Sequence, residues 1–147
     1  MTTITAGSEI ANKIYIKFPE AIVDSSNLAA TIKPEYLIDV ASLLKNSPEE
    51  SYDFLDDITS VDYLDFFEIV YRFTSIKYNR SVVLKIRCLN RENPEVPSLI
   101  GLWKGADLME REIYDLMGIN FKGHPNMKRI FLWEGFNGHP LRKDWNQ

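Results

Sequence analysis

The sequence predicts an α+β domain in which helices pack on one face of an antiparallel or mixed sheet, followed by an extended, irregular C-terminal arm. Large apolar residues occupy every second position in residues 67–74 and 82–89, which predicts an antiparallel hairpin with one face in the core. Other segments carry apolar residues at helical spacing. Regular periodicity ends at Gly118. We therefore expect a domain over residues 1–118 and a docking arm over residues 119–147.

The N-terminal third of the chain combines helix and strand patterns. Residues 8–18 and 34–46 have apolar side chains at the 3.6-residue period, which predicts two helices. Pro34 suits the start of the second helix, because the first helical turn does not use its missing amide donor. Between the helices, residues 21–23 and 28–32 read as short strands on either side of a polar turn.

The middle of the chain supplies the rest of the predicted sheet and the last helix. Residues 52–58 are predicted to form a third strand beside the hairpin. Residues 90–98 contain two prolines and are predicted to form a loop. A helix is expected over residues 106–117, since Gly118 is well suited to the left-handed conformation that ends a helix.

Charge is distributed unevenly along the chain. Residues 122–147 hold five Lys/Arg and two Asp/Glu, whereas the rest holds twelve and nineteen, and residues 49–68 hold eight acids and no base. Basic residues interleaved with aromatic ones could bind nucleic acid. Because the whole chain is acidic and no recognition helix is evident, we expect no nucleic-acid partner.

Cysteine usage and hydropathy indicate the compartment. Cys88 is the single cysteine, so no internal disulfide can form, which fits a reducing environment. No apolar run approaches the roughly 20 residues of a membrane span, and the N-terminus lacks a signal-peptide pattern. We expect a soluble protein that reaches a membrane only by docking on a membrane complex.

A five-residue segment occurs twice in the arm. Phe-Lys-Gly-His-Pro at residues 121–125 returns as Phe-Asn-Gly-His-Pro at residues 136–140, and each copy is followed by a basic pair. Glycine before histidine permits a tight bend, and proline restricts the residue before it. The repeat predicts two rigid bends that present an imidazole and a positive cluster to a surface.

Three chemical hypotheses can be weighed for these residues. Glu112 and Asp115 on the last helix could serve acid–base chemistry, but no nucleophile or phosphate-binding loop lies beside them, so an ion-pair patch, including an Arg111–Asp115 pair, is favoured. His124 and His139 could bind a metal together with Glu110, Glu112 or Asp115, as in a free-standing metal hydrolase. Their spacing matches zinc sites poorly. We expect no catalytic, metal or cofactor-binding residues, and favour protein–protein docking.

Residues 110–145 contain Glu-Arg-Glu at 110–112, Asp115, Gly118-Ile119, the two Gly-His-Pro copies and Leu-Arg-Lys-Asp at 141–144. This set closely resembles the signature of the 30-kDa (C-type) subunit of proton-pumping NADH:quinone oxidoreductase, respiratory complex I. Residues 58–63 and 96–99 also resemble this family, whereas Trp145 stands where Phe or Tyr is more usual. The residues that match the family pattern are Glu110, Arg111, Glu112, Asp115, Gly118, Ile119, Gly123, His124, Pro125, Arg129, Gly138, His139, Pro140, Leu141, Arg142, Lys143 and Asp144.

The resemblance implies a non-catalytic assembly subunit in the peripheral arm of such a complex. It implies no cofactor in this chain, with iron–sulfur clusters, FMN and quinone in partner subunits. The implied partners are the quinone-site subunit (49-kDa, D-type) and the B-type and I-type iron–sulfur subunits. The implied location is the cytoplasmic face of the cell membrane, or the matrix or stroma side in an organelle. Energy-converting hydrogenases, coenzyme F420 dehydrogenases and photosynthetic NDH complexes contain the same module and are the alternative hosts.

The candidate partner contacts lie on the last helix and in the arm. We expect the arm to bury too little of its own surface to stay ordered alone, and therefore to lie against another protein. The candidates are Glu110, Arg111, Glu112, Asp115, Phe121, His124, Pro125, Arg129, Phe136, His139, Pro140, Leu141, Arg142, Lys143 and Asp144.

Overall fold

Two β-sheets and three α-helices make up the fold in the computed structural model, which describes residues 2–145. The longest helix has 12 residues, and within the described residues no helix is both long and apolar enough to cross a membrane. The elements in chain order are β1 (Thr3–Ile4), α1 (Gly7–Lys17), β2 (Ile22–Ser25), β3 (Ala30–Ile32), a 3₁₀ turn (Pro34–Tyr36), α2 (Leu37–Asn46), β4 (Phe54–Asp62), β5 (Phe67–Ser75), β6 (Arg80–Cys88), β7 (Glu95–Pro97), α3 (Ala106–Met117) and β8 (Asn120–Lys122).

The larger sheet is mixed. Its strands lie in the order β2-β3-β6-β5-β4, and β1 also pairs with β6. Both β1 and β3 run parallel to β6, at successive positions along it, whereas β5 is antiparallel to β4 and to β6. In the hairpin, Phe67 lies opposite Cys88 and Ile69 lies opposite Ile86. The predicted hairpin and the mixed sheet are confirmed.

One face of this sheet forms the core. The apolar residues that alternate along the hairpin strands point inward, and side chains from all three helices pack against them in a single cluster. Burying each large apolar side chain contributes roughly 1.5–3 kcal/mol. The predicted α+β architecture, with helices on one face, is therefore confirmed. The inward residues of the hairpin are Phe67, Ile69, Tyr71, Phe73, Val82, Leu84, Ile86 and Cys88.

Two features of the sheets differ from the sequence prediction. The segment predicted as a loop contains β7, which pairs in parallel with β8 in the arm, with Val96 opposite Phe121. Ile119 is completely buried and Phe121 is 3% exposed. The first residues of the arm therefore belong to the core. A strand of three residues is too short to show an alternation of apolar and polar side chains. The paired residues of β7 and β8 are also 25 positions apart along the chain.

Candidate interaction site around the third helix

Helix α3 carries two carboxylates that are completely buried, Glu110 and Asp115. Its apolar stripe, which includes Ile113 and Met117, packs against the core. Acidic side chains are rarely buried unless they are paired, because removing a charge from water is costly. The partners of these two carboxylates therefore show what the helix holds in place.

The Asp115 carboxylate organises the arm. Its Oδ2 accepts hydrogen bonds from three successive backbone amides, those of Ile130 (3.2 Å), Phe131 (2.7 Å) and Leu132 (2.9 Å). Its Oδ1 accepts a hydrogen bond from Arg129 Nη1 at 2.7 Å. One carboxylate thus fixes the main chain of a segment that has no regular secondary structure.

These contacts keep Asp115 ionised. Burial of the carboxyl favours its neutral form, but the amide of Leu132, the Arg129 guanidinium and the other two amides outweigh burial and lower the pKa of Asp115. The same guanidinium also donates to the carbonyls of Phe136 (3.0 Å) and Gly138 (2.8 Å). Arg129 therefore links α3 to the second Gly-His-Pro bend.

The second buried carboxylate holds the segment that follows β7. Glu110 Oε1 accepts a hydrogen bond from Ser98 Oγ at 2.5 Å, and Oε2 accepts one from the Leu99 amide at 2.8 Å. Burial raises the pKa of Glu110, although both hydrogen bonds act in the opposite direction. Burial, together with the Glu110 charge, also raises the pKa of the Tyr71 phenol. Glu110 therefore has a structural role within the chain.

The second Gly-His-Pro bend caps the C-terminus of α3. The last carbonyls of a helix lack partners within it and attract positive charge. Here His139 Nδ1 donates to the carbonyl of Asp115 (3.0 Å), and the Leu141 amide donates to that of Leu116 (2.9 Å). Arg142 Nε donates to the carbonyl of Met117 at 2.6 Å. The arm thus completes the hydrogen bonding of this helix end.

The first Gly-His-Pro bend lies at the other end of α3. His124 Nε2 lies 3.2 Å from the carbonyl oxygen of Asp107 and 2.9 Å from its Oδ1, and His124 Nδ1 accepts the Asn126 amide at 3.0 Å. Asp107 and Asp115 are eight residues apart, about 12 Å along a helix. The two histidines are therefore not brought together on one metal. Among residues 2–145, no group of three His, Cys, Asp or Glu side chains is placed to hold a metal ion.

The end of the arm is tied to the sheet by two residues that are absent from the sequence-based candidates, Asp62 and Arg91. Arg91 binds the Asp62 carboxylate through two nitrogens, at 2.5 and 3.1 Å. Asp62 Oδ2 also accepts the Lys143 amide at 2.9 Å, and Arg91 Nη2 contacts Asp144 Oδ2 at 3.0 Å. Residues 58–63 resemble the family, and that resemblance could have pointed to Asp62. No local pattern in the sequence links Asp62 to Lys143, which lies 81 positions further along the chain.

The arm lies on its own domain, which corrects the expectation that it makes too few contacts there. The expected Arg111–Asp115 pair is also replaced, because Arg111 donates to the carbonyls of Lys128 and Arg129. Among the candidate partner contacts, Glu110, Asp115 and Phe121 are buried within the chain and offer no surface to a partner. Arg111, His124, Arg129, Phe136, His139, Pro140 and Arg142 are half-buried, and Glu112, Pro125, Leu141, Lys143 and Asp144 are exposed.

Two further aromatic residues are prominent on this surface. Phe131 is 64% exposed and Trp133 is 69% exposed, and the Trp133 ring meets Phe136 edge-on at 5.9 Å. They belong to the segment 130–136, here called the aromatic loop, whose first three amides are held by Asp115. Large aromatic side chains presented on a fixed backbone are typical anchors of protein interfaces.

Comparison with protein families identifies the chain. Residues 30–147 match the family described as "Respiratory-chain NADH dehydrogenase, 30 Kd subunit". The chain belongs to this family. The resemblance stated from the sequence is thus confirmed, and so is the expectation that this chain is a subunit of an NADH–quinone oxidoreductase type of complex.

Several bacterial relatives in the 30-kDa subunit family match most of the chain. The C-type subunit of the NADH-quinone oxidoreductase of Roseiflexus sp. (strain RS-1) is 40% identical over 142 residues, covering 92% of this chain and 81% of the relative. The C-type subunit from Moorella thermoacetica is 41% identical over 119 residues, covering 80% and 78%. The C/D-type subunit of Phocaeicola vulgatus is 41% identical over 106 residues, covering 71% of this chain and 20% of the relative.

Solved structures confirm the fold of this 30-kDa family member. A structure entitled "Nqo5 of the trypsin-resistant fragment (1-134)" aligns with a TM-score of 0.65 and 26% identity, covering 81% of this chain and 97% of that one. A chain of the membrane-bound sulfane sulfur reductase, described as an archaeal respiratory membrane complex, aligns with a TM-score of 0.75 and 22% identity, covering 95% and 85%. The second likeness concerns the fold alone.

Proposed function

We propose that this chain is an assembly subunit without catalytic residues or a cofactor of its own. It docks in the peripheral arm of the complex beside the quinone-site subunit (49-kDa, D-type) and the B-type and I-type iron–sulfur subunits. Iron–sulfur clusters, FMN and quinone belong to the partner subunits. The chain lies on the cytoplasmic face of the membrane, or on the matrix or stroma side in an organelle. The relative of C/D type supports a D-type neighbour.

The observation that carries the proposal is the use of the polar residues around α3. Asp115, Glu110 and His139 are engaged in hydrogen bonds that hold the arm and the segment after β7, whereas Glu112 on the same helix is exposed. What these contacts present outward is the aromatic loop, with Phe131 and Trp133 exposed. A rigid aromatic surface suits binding to another protein better than chemistry on a small molecule.

Substitution of the exposed aromatic residues tests the proposal. Trp133→Ala and Phe131→Ala should leave the melting temperature of the isolated chain unchanged, because both side chains are mostly in solvent. Truncating an interface anchor costs about 2 kcal/mol or more, so each variant should be recovered with the detergent-solubilised complex at roughly 30-fold lower affinity. Ile76→Ala is the matched control, since Ile76 is 68% exposed in the turn between β5 and β6.

Two results would contradict this function. Equal recovery of Trp133→Ala, Phe131→Ala and Ile76→Ala with the complex would show that the aromatic loop is not an interface. Stoichiometric iron or flavin in the purified full-length chain would show that it carries a redox centre.

The alternative is the equivalent subunit of a related energy-converting complex. The observation in its favour is the shared fold with a chain of an archaeal respiratory membrane complex. Mass spectrometry of the co-purifying proteins separates the two. An NADH-oxidising flavoprotein among them supports the NADH–quinone oxidoreductase, whereas hydrogenase or other electron-input subunits support the alternative.

A further inference from the structure

The outer edge of β4 is a second surface with binding capacity. β4 is the last strand of the larger sheet, nine residues long. Within residues 2–145, its main chain pairs with β5 on one side, and no strand pairs with the other side. An unpaired edge of this length presents a row of amides and carbonyls that can pair with an added strand.

The register identifies which groups face outward. The amide of Tyr63 donates to the carbonyl of Phe66 in the turn that joins β4 to β5. In an antiparallel pair, main-chain groups of alternate residues point to the partner strand and to the opposite side. Counting back from Tyr63, residues 61 and 59 address β5. Ile58, Ser60 and Asp62 therefore direct their amides and carbonyls to the free edge.

An apolar cleft of about 180 Å³ adjoins these residues. It lies between β4 and α3, and Leu141 of the arm, which is 60% exposed, forms part of its wall. A strand added to β4 would direct alternate side chains toward this cleft. The cleft is lined by Ile58, Thr59, Ser60, Glu112, Ile113, Leu116, Met117 and Leu141.

The charge around the edge selects the kind of occupant. Residues 49–68 contain eight acids and no base. Asp53 and Glu112 are exposed and Asp57 is half-exposed, with Arg72 3.8 Å from Asp57 as the partial counter-charge. A second copy of this chain would set acidic edges against each other, which is unfavourable. A segment bearing Lys or Arg would be attracted.

We propose that β4 receives an extended segment of a different polypeptide as an added strand. The segment is about five residues long, has an apolar side chain that enters the cleft, and carries basic residues that face Asp57 and Glu112. It pairs with the outward main-chain groups of Ile58, Ser60 and Asp62. This surface is distinct from the aromatic loop, so either surface can be inactivated without the other.

Hydrogen exchange of the full-length chain, alone and in the detergent-solubilised complex, tests the pairing. Ile58 and Asp62 are each 4% exposed, whereas Ser60 is half-exposed, so of the three outward amides that of Ser60 should exchange most readily in the isolated chain. In the complex the Ser60 amide should exchange about 100-fold more slowly. Thr59 and Val61, whose amides address β5, provide the internal reference. Equal exchange of the outward amides in the two samples would overturn the proposal.

A pair of variants separates strand addition from simple coverage of the edge. Ser60→Pro removes one outward amide, which an edge strand tolerates, whereas Ser60→Ala truncates the same side chain and keeps the amide. Competed against wild type in the cell, Ser60→Pro should enter the complex about tenfold less than Ser60→Ala. Equal entry of the two variants would mean that the edge is covered without main-chain pairing, and the proposal would be wrong.

Glu112→Lys keeps the test informative if Ser60→Pro lowers folding yield. Glu112 is exposed on α3, so its replacement leaves the strand intact. It should reduce entry into the complex at low salt and less at high salt, as expected for attraction of a basic segment. If Glu112→Lys had no effect at any salt concentration, the partner segment would not be basic and the proposal would be wrong.

A second copy of this chain is the other possible occupant of the edge. If the isolated chain formed a dimer and Ser60→Pro disrupted that dimer, the edge would bind a second copy and the proposal would be overturned. If only the Trp133→Ala variant failed to give its expected loss of recovery with the complex, the role of the aromatic loop would be wrong and the proposal for β4 would stand.

Discussion

Asp62 and Asp115 are two buried carboxylates that hold the arm. Asp62 joins Arg91 to the Lys143 amide, and Asp115 joins Arg129 to three amides of the aromatic loop. Hydrogen bonds to ionised groups are about twice as strong as neutral ones. The pKa values of both carboxylates are lowered. For Asp62 the largest cause is the hydrogen bond from Arg91. For Asp115 the effect of burial is outweighed by the hydrogen bonds from the amides and from Arg129. The attachment of the arm therefore depends on their ionisation.

The pH dependence of stability follows from the lowered pKa of Asp62. The stabilisation is fully present above the unfolded-state pKa of about 3.9 and is lost as the pH falls through the lower folded-state value. We expect the free energy of unfolding to fall steeply below about pH 4. In Asp62→Asn it should fall less steeply and should be lower at pH 7 by about 2–4 kcal/mol, because Arg91 loses its buried partner. Denaturant unfolding between pH 2 and 7 measures both effects.

Exposed Asp65, in the turn after β4, supplies the control for this measurement. Asp65→Asn removes the same charge and should change stability by no more than about 0.5 kcal/mol at pH 7. Glu110 acts in the opposite sense, because its raised folded-state pKa gives stability that is present at low pH and lost as the pH rises through that value. An Asp62→Asn profile parallel to that of the wild type would contradict the role of Asp62.

At the scale of the element, the end of α3 and the second Gly-His-Pro bend form one unit. Gly118 ends the helix with a φ of +77°, and a Cβ placed there would lie 2.6 Å from Cδ2 of the His139 ring. The ring packs where only glycine leaves room, and from there it donates to the Asp115 carbonyl. The helix terminus and the bend therefore specify each other.

Substitution of two glycines separates backbone strain from steric contact. Gly123 has a φ of +90° but open space around its Cβ position. Gly123→Ala should cost about 1–2 kcal/mol through strain alone. Gly118→Ala should cost roughly 2–4 kcal/mol and should also displace His139, because strain and overlap add. Thermal unfolding and the NMR signals of the His139 ring measure the two outcomes. Equal destabilisation with an unmoved ring would contradict the packing argument.

At the scale of the whole molecule, the fold consists of a core of sheet and helices and an arm that is bound to the surface of that core. The core is held by one cluster of buried apolar side chains, whereas beyond Phe121 the arm is held chiefly by hydrogen bonds and ion pairs. Regions with few buried apolar contacts open at lower free energy than the core. We therefore expect the arm to open as a unit while the sheet stays folded.

Limited trypsin digestion of the isolated chain tests this separation. Asp115→Asn weakens the attachment of the aromatic loop by about 2 kcal/mol, so cleavage after Lys128 and Arg129 should be roughly 30-fold faster than in the wild type. Cleavage within residues 67–88 should not change. Glu112→Gln, an exposed substitution on the same helix, should cleave like the wild type. Equal acceleration in the arm and the hairpin would indicate global rather than local opening.

Much of the core could be predicted from the sequence because its signals are local. The α3 boundaries at Ala106 and Met117 match the prediction, since helical spacing and Gly118 define them within a few residues. The β5–β6 hairpin was predicted because alternation and a short turn specify its register. The β7–β8 pair was not, because two three-residue strands carry no periodic signal and their pairing depends on where α3 places them.

The sequence by itself determined the α+β class, the inward faces of the helices and strands, and the motif in residues 110–145 that marks the 30-kDa subunit family. These features depend on spacing along the chain, which is readable without coordinates. Only the tertiary structure decided where the arm lies, because its direction is set by contacts such as Asp115 with Arg129 and Asp62 with Lys143. Such contacts join residues 14 and 81 positions apart, and no periodicity in the sequence encodes a meeting over that distance.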